Sequence, residues 1–120
     1  MGSVLLAHNE GKASGSVSGL VPVQGFGVVT KNVDGINLNW YFRARHASWR
    51  IEVGPESAER AGYVDPEDGE WFARGNWGHW PEAGCMEEEI ARQIVVDALS
   101  RYLSGEPSWH APDDLHYKKP

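Results

Sequence analysis

The stretch "YFRARH", residues 41–46, places Tyr41, Arg43 and Arg45 in alternation with Phe42 and Ala44, and His46 adjoins them. On an extended strand, arginines at i and i+2 stand about 7 Å apart on one face, at about 3.3 Å of rise per residue. Each guanidinium presents a planar fork of donors, so the pair suits a carboxylate or a phosphate. The plainer reading is that these cations pair with acids such as Glu52 or face water.

A second group lies in "WFARGNWGHWPEAGC", which holds Trp71, Trp77, Trp80, His79 and the chain's one cysteine, Cys85. Cys85 precedes a helical pattern, where the dipole would lower a thiol's pKa, and His79 could serve as its base. Glu87, Glu88 and Glu89 oppose that activation, and no nucleophile signature surrounds the cysteine. An inert cysteine is the better reading. Six tryptophans in 120 residues exceed what a modest core requires. Trp40, Trp49 and Trp71 fall in alternating stretches and are expected in the core. Trp77, Trp80 and Trp109 fall in Gly/Pro-rich segments, where lining a pocket or an interface is an equal reading. The candidate ligand-binding set is therefore Tyr41, Arg43, Arg45, His46, Trp77, His79 and Trp80. In the tail, His110, Asp113 and His116 have ligand chemistry but no metal-site spacing, and Pro112 breaks any helical register. No catalytic residue, metal or other cofactor is expected.

Composition narrows the class. Apolar and charged fractions of 41% and 23% are those of an ordinary globular domain. No apolar run approaches the roughly 20 residues that span a bilayer. A lone cysteine and the lack of an Asn-x-Ser/Thr sequon suit a reducing cytoplasm. The net charge of −6 argues against general nucleic-acid binding, which needs clustered cations.

The elements that must position these residues follow from periodicity. Residues 1–19, with "HNEGKASGSVSG", read as a flexible lead-in. Residues 20–105 read as one α+β domain. Its three-stranded meander runs from about 20 to 53, and Pro22 favours a sheet edge or strand start there. In "INLNWYFRA", Ile36, Leu38, Trp40, Phe42 and Ala44 share one face, while Asn37, Asn39, Tyr41, Arg43 and Arg45 share the other. Asp34-Gly35 suggests a two-residue turn before it, and residues 46–48 a turn after it. "WRIEV" alternates again. "PESAERAG" reads as a short helix, "DPEDG" as a turn and "EWFARGNW" as a further strand. From Met86 to Leu103 the period is helical, with Ile90, Ile94, Val95, Ala98, Leu99, Tyr102 and Leu103 as its stripe. Gly105 and Pro107 end it. Residues 106–120 form a Pro-rich tail.

The expected architecture is thus an antiparallel meander of about four to five strands with one long C-terminal helix on one sheet face. The expected function is a small ligand-binding or interaction domain that self-associates, a dimer being favoured. Its pocket combines aromatic residues and arginine and takes a small molecule, an anionic one being among the options. The alternative is an acidic inhibitor or immunity-type protein, with Glu56, Asp65, Asp68 and Glu87 in one patch against a basic protein. Neither nucleic acid nor membrane is expected as a partner, and catalysis through His46 or His79 is the least supported reading.

Overall fold

The computed structural model describes residues 2–18, 23–57, 64, 70–77, 83 and 86–112. Among these residues seven strands form one sheet in chain order: β1 (Gly2–His8), β2 (Gly11–Ser18), β3 (Val23–Lys31), β4 (Asn37–Arg45), β5 (Ser48–Gly54), β6 (Trp71–Asn76) and β7 (Trp109–His110). β1 to β6 pair antiparallel. After β6 the chain forms helix α1 (Glu88–Leu103), then lays β7 parallel to β6. The helix packs on β1, β2 and β3. It is neither long nor apolar enough to cross a membrane.

Alternation decides which face is the core. Trp40, Phe42 and Ala44 of β4, Trp49, Ile51 and Val53 of β5, and Trp71 and Ala73 of β6 all point inward and are buried. The helical stripe from Ile90 to Leu103 is buried in the same core cluster, as its period requires. Its C-terminus closes in a Schellman motif. The Glu106 amide donates to the Arg101 carbonyl at 3.1 Å and the Gly105 amide to that of Tyr102 at 3.0 Å, with Gly105 at φ 81°.

The sheet has more strands than periodicity suggested. The stretch whose composition reads as a flexible lead-in forms the β1–β2 hairpin, and Val4 and Val17 within it are fully buried. The reason lies in one cross-strand row on the inner face. Val4, Gly15, Gly27 and Trp40 stand opposite one another on β1 to β4. The Trp40 indole crosses β3 and donates its Nε1–H to the Ser14 carbonyl on β2 at 3.1 Å. A Cβ at Gly15 would stand 2.6 Å from the indole Cζ2 and 2.4 Å from the Phe26 carbonyl. Glycine here makes room for an aromatic ring.

Three local expectations change. The β3–β4 connection takes residues 32–36, because the Asp34 carboxylate accepts from the Ile36 amide and Gly35 adopts φ 67°. Ile36 therefore leaves the strand and is exposed. The β4–β5 turn needs just His46 and Ala47, with His46 at φ 55°. Part of the Pro-rich tail is also structural: the Trp71 indole donates to the Glu106 carbonyl at 2.9 Å, and the Ala111 amide to Arg74 at 2.8 Å. The expected helix over 55–62 lies largely outside the described residues, and Glu56 forms an isolated bridge with Val64. The turn over 65–69 lies wholly outside them.

Two measurements check this packing. Gly15→Ala should cost about 3 kcal/mol of urea stability through overpacking and a positive φ of 155°. The cost should shrink in a Trp40→Leu background, where the ring is gone. Burial, reinforced by the Glu70 and Asp34 carboxylates, holds the Tyr102 phenol above tyrosine's ordinary 10.0. An unfolded tyrosine ionises first, so this contribution is complete below pH 10 and is lost as pH rises through the folded value. The urea midpoint should fall above pH 10 in the wild type and fall less in Tyr102→Phe.

Candidate functional site

The outer sheet face carries what the core alternation rejects. On β4 these side chains are Asn37, Asn39, Tyr41, Arg43 and Arg45, on β5 Arg50 and Glu52, and on β6 Phe72, Arg74 and Asn76. The strand register then sorts them into rows. Arg43 stands opposite Arg50, Arg50 opposite Arg74, and Arg74 opposite His110 of β7. Residues directly opposite place their Cβ atoms about 4.5–5.5 Å apart, so like charges in such pairs repel. One row along, Phe26 opposes Tyr41, Tyr41 opposes Glu52, and Glu52 opposes Phe72. An arginine row thus runs beside an aromatic row that one carboxylate interrupts.

That carboxylate belongs to Arg50. Glu52 is the buried charged side chain among the described residues, at 6% exposure, and its Oε1 accepts from the Arg50 Nε at 2.5 Å. The Arg50 guanidinium also lies 4.6 Å from the centre of the Phe72 ring, within cation–π range. Phe26 and Tyr41 stack with centroids 6.4 Å apart, and the Tyr41 hydroxyl donates to Gln24 at 3.1 Å. Arg43, Arg45 and Arg74 are exposed and make no ion pair among the described residues. The acid expected to neutralise Arg43 and Arg45 is committed elsewhere.

A cleft of about 430 Å³ opens at the β5–β7 end of the row, lined by Ser48, Trp49, Arg50, Arg74, Gly75, Asn76 and His110. It is built by the tail: Trp109 packs on Trp49 at 6.3 Å between centroids, and the Arg101 guanidinium lies 3.8 Å over the Trp109 ring. With Trp109 anchored, His110 is carried to the position opposite Arg74. Two cationic forks, an imidazole, a hydroxyl and an amide thus converge on one opening. The set can donate hydrogen bonds to an oxyanion from several directions.

The candidate residues read from sequence are divided by the fold. Tyr41, Arg43 and Arg45 share the outer face, with Tyr41 largely buried by its neighbours. His46 is exposed in the β4–β5 turn. Trp77 is 8% exposed and belongs to the core cluster, and its amide donates to the Ala47 carbonyl. His79, Trp80 and Cys85 lie outside the described residues, as do Asp113 and His116 of the tail group and Asp65 and Asp68 of the proposed acidic patch. No group of three metal-ligating side chains occurs among the described residues. Arg50, Arg74 and His110 are the site residues that sequence reasoning missed. Alternation already put both arginines on the polar face, but their alignment needs the strand register. Comparisons with protein-family models, curated proteins and solved structures return no match.

Glu52→Gln should lower urea stability by about 1–3 kcal/mol, because Arg50 then faces Arg43 and Arg74 without its counter-charge. The loss should be smaller near 1 M salt, where screening acts within about 3 Å.

Proposed function

We propose that this protein is a binding module that holds the anionic group of a small molecule at the cleft and arginine row of its outer sheet face. One observation carries the reading: Arg43, Arg50 and Arg74 stand in a single cross-strand row, and Arg43 and Arg74 have no acidic partner among the described residues. Such a row costs stability unless an anion joins it. It also occurs on a chain whose net charge is −6, so the cations are concentrated against the general trend. The ligand class is a carboxylate or phosphate attached to a flat apolar group. The anion would take donors from Arg74, Arg50 and His110, and the apolar part would lie toward Phe72. Arg43 and Arg45 extend the same positive face beyond the cleft, and Tyr41 supports it from below through Gln24.

Titration with inorganic phosphate and with phenyl phosphate, followed by tryptophan fluorescence, tests this, since Trp49 lines the cleft. Saturable binding is expected, tighter for phenyl phosphate. Arg74→Gln should weaken it about tenfold or more, the scale of one charge-assisted hydrogen bond. In ligand-free buffer the same variant should be more stable than the wild type by about 0.2–1 kcal/mol, because a like-charge neighbour is gone. Binding that survives Arg43→Gln/Arg74→Gln, or no saturable binding of either probe, would overturn the assignment.

A further inference from the structure

The two edges of the sheet are treated differently. β7 spans two residues, with Pro107 and Pro112 close on either side, so it offers little backbone to another strand. β1 spans seven residues, each paired with β2 on one side, and no described residue pairs with its other side. Its sequence, "GSVLLAH", has no Lys, Arg, Asp, Glu or Pro. Exposed edges are normally blunted by charge, proline, bulges or shortness. β1 has none of these devices. Leu5, at its centre, is 79% exposed, and Leu6 on the inner face is half-buried.

We propose that β1 pairs antiparallel with β1 of a second copy of this chain, about a twofold axis through Leu5. Two conditions select this register. Side chains must keep to their own faces, and a one-residue slip would exchange them. Among registers that obey this rule, only centring on Leu5 uses all seven residues of both strands. Leu5 then faces the partner's Leu5, Ser3 faces the partner's Ala7, and Val4 faces the partner's Leu6. Every central pair is small or apolar, and no like charges meet. The same patch serves both copies, as a twofold interface demands. The net charge of −6 on each copy repels at long range, so added salt should strengthen the pairing. The proposal is independent of the anion site on β4 to β7.

Cysteine cross-linking in a Cys85→Ser background tests the register. Directly opposite residues have Cα atoms about 4.5–5.5 Å apart, within the disulfide range. Leu5→Cys should therefore form a covalent dimer on mild oxidation. Ser3→Cys should not, because the two copies of that position stand about 13 Å apart along the strands. Sedimentation at high micromolar concentration should show a wild-type dimer. Leu5→Lys, at an exposed position, should raise its dissociation constant at least about tenfold without changing the circular dichroism spectrum. A monomeric wild type, a dimer indifferent to Leu5→Lys, or equal cross-linking at Ser3 would each overturn the proposal.

Discussion

The structure depends on an indole lying across two neighbouring strands. Trp40 is fully buried at the middle of the sheet, and its Nε1–H reaches the Ser14 carbonyl. That one bond ties β4 to β2 over the top of β3. It requires glycine at position 15, and it explains why Val4 on β1 and Val17 on β2 sit at the edge of a continuous core. A large aromatic group needs partners over its whole area and a partner for its N–H. Here the chain satisfies both by removing side chains from the strands beneath. The helix then packs on β1, β2 and β3 and covers their inner face.

The inward commitment of β4 determines its outward face. Because Trp40, Phe42 and Ala44 cannot turn, Tyr41, Arg43 and Arg45 must project away, and the two-residue turn at His46 and Ala47 aligns Arg43 with Arg50. Alignment with Arg74 follows from the β5–β6 register. Glu52 meets the local cost for Arg50 alone. The excess of positive charge on this face is thus a product of register, held in place by a core too well packed to slip.

Much of this was legible in the chain. The alternation of Trp40 to Ala44 and of Trp49 to Val53, and the helical stripe from Ile90 to Leu103, identified the inner faces correctly, because burial imposes those periods directly. The first hairpin was hidden because "KASGSVSG" has the composition of a linker, whereas its small residues accommodate an indole that is remote in sequence. For Trp77 the Gly-rich neighbours made core and pocket equal readings, and its ring belongs to the core cluster. The arginine row was half visible. A two-residue turn after Arg45 is enough to pair Arg43 with Arg50, but nothing local places Arg74 beside them. His110 is carried there by Trp109, whose contacts with Trp49 and Arg101 join distant parts of the chain.

The placement of α1 has a consequence for how the protein is made. Residues 88–103 cover the apolar side of strands that begin at Gly2. On the ribosome, where chains grow from the N-terminus, the first three strands are complete long before their cover exists. Val4, Val17 and Val29 gain the helical part of their cover only once residues 88–103 have been made. Contacts so remote in sequence also make for slow closure. The inner face of the first three strands is therefore completed by a segment that follows them late in chain order.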